Sequence, residues 1–366
     1  MDRVVLGLLF AFLLFFDSTR LGGVVGAFAV LLMLIAGIRK WDKTVLTLML
    51  IVLVLSLRSF FDTALGFYGI THALGKIVLF ILVLNSISNV PVDWVYSLGI
   101  RVVYFELVVT LLQKFDFLIY FGKEGVPNGT LTSANNLATL LGLLLVFVMT
   151  EYDRLGIRRV LKVGIPIAFM LLFILDSVTT LLALFITAVA FNLKKIRLTY
   201  FLFLIISVPL ILLGFYSTFS DIVEKLNTYS LRFVLNSNGI GLGSLLWRIW
   251  AWNNYIVLSF QDIFSFLFGH GLGVTNKNNM NFIGHIVGQD PHNSYVSILL
   301  EFGLFGLLIF LKFFQLAYKI LPRKRKIVLF YLMIAIFPSN SLLSIPVVFF
   351  TIFILNADYV RNYPLS

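Results

Sequence analysis

The chain has 366 residues, of which 60% are hydrophobic and only 12% charged, and its mean hydropathy is +1.00. A soluble domain carries about 25% charged residues, so this composition argues against a soluble globular protein. The chain has no Cys, which excludes disulfides, thiolate metal sites and a Cys nucleophile. The net charge of +11 follows membrane topology in its distribution, and we expect no nucleic-acid partner.

Apolar stretches recur along the whole chain, and we interpret them as membrane-spanning helices. A helix needs about 20 apolar residues to cross a hydrocarbon core of about 30 Å, and several stretches are shorter. The predicted fold is all-α and polytopic, with about twelve spans. They cover residues 4–16, 21–38, 45–57, 71–89, 92–113, 131–149, 160–175, 178–193, 199–216, 294–320, 327–337 and 342–355.

The basic residues predict the orientation of these spans, because inside loops of membrane proteins are enriched in Lys and Arg. With the N-terminus inside, 16 of the 28 Lys and Arg fall in inside segments and eight in outside segments, which are longer. Both termini then lie inside. We expect a multi-pass protein of a cytoplasmic (inner) membrane, in contact with membrane lipids.

One outside segment is much longer than the others and divides the chain into three predicted regions. Residues 1–216 hold spans one to nine, residues 217–291 form a periplasmic loop, and residues 292–366 hold spans ten to twelve. Within the loop, residues 245–260 combine Trp and Tyr with aliphatic residues, which predicts an amphipathic helix in the membrane interface. A short helix over 262–268 and a tight glycine turn over 269–273 follow it.

His292 is the candidate general base. It follows Pro291, a residue suited to the start of a helix, so we predict that it lies in the first turn of span ten at the outer mouth. A neutral imidazole there can accept a proton from a hydroxyl group near neutral pH, and the helix N-terminus favours the neutral form. The alternative is a capping or interface His without chemistry.

Two arginines in the long loop are candidates for binding phosphate oxygens. A guanidinium donates in a bidentate fork that matches phosphate. Arg248 lies on the predicted amphipathic helix, at the depth of lipid headgroups, and Arg232 precedes it in the same loop. The alternative is that these side chains simply extend to lipid phosphates.

Ionisable side chains inside predicted spans form a second group of candidates. Such groups are costly in hydrocarbon and are commonly functional. Lys76 and Arg101 are further candidates for binding phosphate, whereas Glu106 and Glu301 are carboxylates in spans five and ten. The alternative for each is a structural ion pair inside the bundle.

The start of span six carries polar side chains suited to a sugar. Asn135 and Asn136 could bind sugar hydroxyls, or they could cap and pack the helix start. The His spacings at 270, 285 and 292 match no metal-ligand pattern. We therefore expect neither a metal ion nor another cofactor.

Taken together, several segments resemble the O-antigen polymerase and O-antigen ligase superfamily. The resemblance covers residues 70–320 and rests on four features in the family's order. They are the Gly-to-Asn-Asn stretch at 129–137, the Ser-rich helix start at 177–182, the long loop with its Arg, Trp and Gly-His-Gly-Leu-Gly turn, and the Pro-His-Asn-Ser-Tyr motif at 291–295 with Glu301, Gly303 and Gly306 behind it. At position 178 this chain has Val where the family often has Arg.

The resemblance implies a metal-independent, inverting glycosyltransferase of the membrane-embedded GT-C type. Its donor would be a glycan on undecaprenyl diphosphate and its acceptor the sugar end of another lipid-linked repeat unit. His292 would be the base, and Arg248 with Arg232 would hold the diphosphate. We expect a glycan site formed by Asn135, Asn136, Asn293, Tyr295 and Trp252. A chain-length regulator protein is a further partner that the family implies.

Two other functions remain open at this point. A ligase of the same fold would transfer the glycan to lipid A–core, although the outer loop is not strongly basic, as a phosphorylated acceptor would favour. A lipid-linked oligosaccharide transporter or flippase would predict inverted repeats with helices broken at matching positions, and the sequence shows no such symmetry. A peptidoglycan polymerase is less favoured, because no Asp occupies a comparable position in the outer loop.

Overall fold

The computed structural model describes residues 3–16, 47, 50, 54, 90–117, 127–131, 133–156, 164–175, 177–191, 252, 255–274, 291–337, 339 and 344–357. Across these ranges the chain is mostly helical and contains no strand; a single backbone bridge joins Val90 to Ala357. The helices are α1 (Arg3–Phe16), α2 (Val92–Lys114), α3 (Ala134–Thr150), α4 (Tyr152–Leu155), α5 (Gly164–Ile174), α6 (Val178–Ala190), α7 (Ile263–Phe268), α8 (Ser294–Ile320), α9 (Arg323–Ala335) and α10 (Ile345–Leu355).

Where the structure describes a predicted span, a helix is present close to the predicted bounds. Helix α8 covers the same residues as predicted span ten, and α9 begins four residues before predicted span eleven. Two segments, Val92–Lys114 and Ser294–Lys319, are long and apolar enough to cross a membrane, and several shorter helices are apolar. Spans two, three, four and nine lie largely or wholly outside the described residues, so the total of twelve stays a prediction.

Helix α3 is the centre of the described bundle. It is apolar on all sides, and every residue from Asn136 to Val148 is buried, as expected for a helix that is surrounded by others. Helices α2, α5, α6, α9 and α10 pack around it. Gly142 allows the closest approach, because a Cβ there would overlap the Tyr331 hydroxyl of α9.

Contacts between helix ends fall into two separate sets, as antiparallel neighbours require. The first set, which we call the basic face, joins ends that the sequence assigns to the inside. Glu151 at the end of α3 lies 2.8 Å from the Arg325 Nη1 and 3.1 Å from the Lys324 Nζ. Arg325 also donates to the Ala357 carbonyl (2.9 Å) and lies over the Phe147 ring, 5.3 Å from its centroid. Burial lowers the pKa of the Arg325 guanidinium, and the Glu151 carboxylate opposes that shift.

The second set, which we call the loop face, joins ends that the sequence assigns to the outside. Gln113 at the end of α2 binds the segment before α3 by donating from Nε2 to the Gly129 carbonyl (2.8 Å). Ser294 at the start of α8 donates from its hydroxyl to the Ser339 carbonyl beyond α9 (3.0 Å). Residues that the sequence assigned to one side of a membrane thus meet on one side of the bundle.

Candidate functional site

The candidate site is built on the first residues of α8, at the loop face. The helix begins at Ser294, and Asn293 is its N-cap: the Asn293 Oδ1 accepts hydrogen bonds from the backbone N–H groups of Tyr295 (3.0 Å) and Val296 (3.1 Å). The prediction that His292 lies in the first turn is therefore wrong. Asn is among the strongest N-cap residues, and this cap places the helix start three residues after Pro291.

His292 has an unusual backbone conformation. Its φ angle is +50°, in the left-handed region, and the residue is partly exposed between the buried Pro291 and Asn293. Left-handed residues other than Gly are uncommon, although His is enriched among them. Such conformations cost roughly 1–3 kcal/mol and persist where the surroundings fix them, which is frequent at functional sites.

The long loop contributes one of the contacts that fix this conformation. The Trp252 indole Nε1–H donates to the Pro291 carbonyl at 2.6 Å, directly before His292. The Trp252 ring packs edge-on against Phe337, with ring centroids 5.4 Å apart. A residue of the predicted interfacial helix, about 40 positions earlier in the chain, therefore reaches the mouth of α8.

Tyr295 connects the same mouth to α9. Its hydroxyl donates to the Met333 carbonyl (2.9 Å), and its ring lies 6.1 Å from the Phe337 ring. The three glycan-binding candidates nearest His292 thus all have a polar group bonded within the protein: Asn293 in the cap, Tyr295 to α9 and Trp252 to Pro291. With these polar groups bonded within the protein, the aromatic rings are the surfaces that a sugar could contact.

Asn135 and Asn136 lie at the start of α3, whereas His292, Asn293 and Tyr295 lie at the start of α8. Ser133 is the N-cap of α3 and accepts from the Asn136 N–H (3.2 Å), while the Asn135 carbonyl accepts from the Thr139 hydroxyl (2.8 Å). Helix α9 contacts both α3 and α8. Ser133, and neither asparagine, is thus the cap of α3, and both bonds involve backbone atoms of Asn135 and Asn136. A role of the two side chains in binding a sugar stays a prediction.

The segment before α3 is held by two buried side chains of α2 that the sequence did not connect with it. The Gln113 Oε1 accepts from the N–H groups of Asn128 (3.1 Å) and Gly129 (2.9 Å). The Glu106 carboxylate accepts from both the backbone N–H (3.0 Å) and the hydroxyl of Thr130. Glu106 thus binds a loop segment, whereas the sequence had raised an ion pair or a functional site.

The cationic candidates are placed only in part. Arg248, Arg232 and Lys76 lie outside the described residues, so their distances from His292 stay untested. Arg101 is described and has an exposed side chain on α2.

A break in α8 is the feature that the sequence did not reveal. Gly303 has φ +69° and ψ −166°, which is non-helical backbone inside the helix. In the turn before it, the Leu300 carbonyl accepts from the His270 N–H (2.7 Å) and the Glu301 carbonyl from the Gly271 N–H (3.1 Å). The 269–273 turn therefore supplies hydrogen bonds to backbone next to the break.

Side chains complete this junction between the 269–273 turn and α8. The Glu301 Oε1 accepts from the Gly273 N–H (3.2 Å). His270 is buried, with its Nε2 3.3 Å from the Leu258 carbonyl. The signal in the sequence was Gly303 itself, which we noted for the resemblance without predicting a broken helix.

No model of a known protein family matches the chain, and no curated protein matches it. The resemblance therefore depends on the segments themselves, of which the structure describes residues 129–131 and 133–137, all of 177–182 and all of 291–306.

Proposed function

We propose that this protein is a polymerase of O-antigen or a related bacterial surface polysaccharide. The observation that carries the proposal is the conformation of His292. This imidazole belongs to a left-handed residue at the mouth of an apolar helix, and Trp252 from the long loop bonds to the carbonyl before it. The order of motifs that resembles the polymerase and ligase superfamily supplies the reaction class.

The chemistry needs two groups, a base for the acceptor and a cationic site for the leaving group. His292 accepts the proton of the acceptor hydroxyl as that oxygen attacks the anomeric carbon, which inverts the configuration there. The bond to the undecaprenyl diphosphate breaks at the same time, and the diphosphate leaves as an anion. Arg248 and Arg232 stabilise that charge, with Lys76 and Arg101 as further candidates. A leaving group of this kind requires no general acid.

The proposed site faces the periplasm from the inner membrane. This orientation follows from the basic residues, since the basic face of the bundle carries Lys324, Arg325 and Arg154 and inside loops favour such residues. The site would then meet lipid-linked repeat units in the outer leaflet. We include the GT-C arrangement of twelve spans and a chain-length regulator partner in the proposal.

The test is a reaction with purified protein, a synthetic undecaprenyl-diphosphate repeat unit and a chelator, with the products resolved on a gel. The unmodified protein should form long chains. His292→Ala should lower the rate by about 10²–10⁴-fold, the usual contribution of a general base, and Arg248→Ala should also abolish long chains. Lys312→Ala, an exposed change far along α8, is the control and should polymerise normally. Normal ladders from the His292 and Arg248 variants would reject the site assignment.

The ligase alternative differs only in the acceptor. Offering lipid A–core in the same reaction distinguishes the two, because a ligase would glycosylate it and would leave repeat units unpolymerised. In cells, loss of a ligase leaves lipid-linked polymer intact, whereas loss of a polymerase leaves single repeat units.

The break at Gly303 favours a transporter as a second candidate, because transporters commonly place substrates at broken helices. The break is filled, however, by the backbone of the 269–273 turn. A transporter would move the lipid-linked unit across proteoliposomes without lengthening it, which the same purified protein can show.

A further inference from the structure

A continuous apolar surface lies on residues 256–268 of the long loop. Residues 255–259 are helical, and α7 follows after a turn at Gln261 and Asp262. One side of this segment is buried, including Tyr255, Leu258 and Ser265. The other side is exposed and large; we call it the 256–268 face, and it consists of Ile256, Val257, Phe260, Ile263, Phe264 and Phe268.

The 256–268 face continues onto the exposed side of α8. The Phe264 and Phe268 rings lie 4.9 Å apart, and Phe268 lies 5.4 Å from Phe305 on α8. Beyond Phe305, Leu308 and Leu311 are exposed along the same helix. Helix α8 is long and apolar enough to cross a membrane, and in that placement this shared surface faces hydrocarbon.

The position along α8 of its contact with the 269–273 turn gives the depth of that contact in the membrane. Gly303 packs against Gly269 and lies about 24 Å before Lys319 at 1.5 Å of rise per residue. A hydrocarbon core of about 30 Å that begins at Lys319 therefore ends beyond Gly303, nearer the start of α8. If the core begins instead at Lys312, Gly303 is deeper still. With either lysine as the inner boundary, the contact between Gly303 and Gly269 lies inside the hydrocarbon core, below its boundary on the loop face.

Irregular backbone can lie at this depth only where its polar groups are satisfied and shielded from lipid. Residues 269–274 are all buried. The N–H groups of His270, Gly271 and Gly273 bond to Leu300 and Glu301, and positive φ at Gly269, Gly271 and Gly273 lets the turn fit. The segment thus meets the condition for entering the membrane without crossing it.

We propose that residues 255–274 form a re-entrant segment that dips into the bilayer on the loop face, with the 256–268 face in contact with lipid acyl chains. The exposed Gln261 and Asp262, at the turn before α7, lie at headgroup depth, because a charged side chain in hydrocarbon is costly. The segment then holds the long loop against the membrane at the level where a lipid-linked substrate lies. The inference rests on the membrane placement of α8 that the proposed function also uses.

The absence of Cys from the chain allows a direct test with single nitroxide labels in phosphatidylcholine proteoliposomes. The reporter variants are Phe264→Cys and, as an independent second site, Ile263→Cys; these side chains are 56% and 72% exposed. Leu311→Cys on α8 is the lipid reference, and Arg323→Cys at the start of α9 is the water reference. Gln261→Cys tests the headgroup position. Collision rates with oxygen and with a water-soluble nickel chelate are measured by power saturation.

The proposal expects the Phe264 and Ile263 labels to collide more with oxygen than with nickel, as the Leu311 label does, and the Gln261 label to lie between the two references. Reporter labels that prefer nickel, with Leu311 still in lipid, would place the segment in water and overturn the inference while leaving the membrane protein intact. Reporter labels shielded from both reagents would also overturn it, since protein would then cover the face. If Leu311 itself preferred nickel, the membrane placement beneath the proposed function would fail.

Discussion

The backbone of Gly303 in α8 packs directly against that of Gly269 in the loop. A Cβ on Gly303 would lie 2.5 Å from the carbonyl carbon and oxygen of Leu267, and one on Gly269 would overlap the Glu301 carbonyl. Two glycines about 34 positions apart therefore allow a loop turn and a broken helix to share one space, as close backbone approach requires.

We expect Gly303→Ala to destabilise the protein more than Gly156→Ala. Both glycines have positive φ and extended ψ, a region that costs other residues about 1–3 kcal/mol. Gly156, however, has nothing within 4 Å of a new Cβ, so its variant measures the conformational cost alone. Apparent melting temperatures in one detergent make the comparison. Equal losses in the two variants would show that the Gly269–Gly303 packing is not tight.

Glu151 contacts both Arg325 and Lys324, but we expect the loss of Arg325 to lower the stability of the protein much more than the loss of Lys324. The Glu151 and Arg325 side chains are 6% and 4% exposed, whereas that of Lys324 is 48% exposed. Arg325→Met leaves a buried carboxylate without its main partner, a loss of about 3–5 kcal/mol. Lys324→Met removes an exposed ion pair worth at most about 1 kcal/mol.

Thermal unfolding with a double variant checks this assignment. Adding Glu151→Gln to Arg325→Met should recover part of the lost stability, because the uncompensated charge is then gone. If the double variant is less stable than Arg325→Met alone, the buried charge is not the cause of the loss.

Thr130→Val should destabilise the protein and Thr110→Val should not, although they are the same isosteric change. The Thr130 hydroxyl donates to the buried Glu106 carboxylate, and losing a bond to a charged group costs about 1.5–3 kcal/mol. The Thr110 hydroxyl is buried with no hydrogen-bond partner in the described part of the chain, so its removal should be neutral or stabilising. Hydrogen exchange at residues 128–130 should rise only in Thr130→Val. Matching losses of melting temperature would contradict the assignment.

His292→Gly should be more stable than His292→Ala by about 1 kcal/mol, the cost of the left-handed conformation that Gly avoids. Inside a helix the order would be reversed, since a Gly variant there is less stable than an Ala variant. Both variants lose the imidazole, so side-chain contacts cancel in the comparison, and both should polymerise about 10²–10⁴-fold more slowly. A more stable Ala variant would mean that the backbone at 292 relaxes and is not held at φ +50°.

Hydropathy predicted the described helices well because the length and composition of an apolar segment are local properties of the sequence. The bounds of α8 and the start of α2 agree with the predicted spans, and the short helix before the 269–273 turn is also present. The placement of His292 in the first turn was wrong, because Pro291 and Asn293 both favour a helix start and only the cap bonds show that the helix begins after Asn293.

Contacts between residues far apart in the chain could not be predicted from the sequence. Glu106 and Gln113 are polar residues in an apolar helix, and their spacing does not say that their partners are Asn128, Gly129 and Thr130. Likewise, Trp252 suggested an interfacial helix but not a bond to Pro291. Such pairings depend on how helices pack, and many partners are compatible with one hydrophobic pattern.

Helical structure, apolar composition and the helix ends that share a side could all be predicted for the described residues from the amino-acid sequence. Each follows from local composition, since apolar segments of spanning length form helices and the distribution of Lys and Arg predicts their orientation. The break of α8 at Gly303, the loop turn that fills it, and the left-handed conformation of His292 before its helix became visible only in the folded chain. Those features arise because backbone groups left unpaired in one segment must find partners in another.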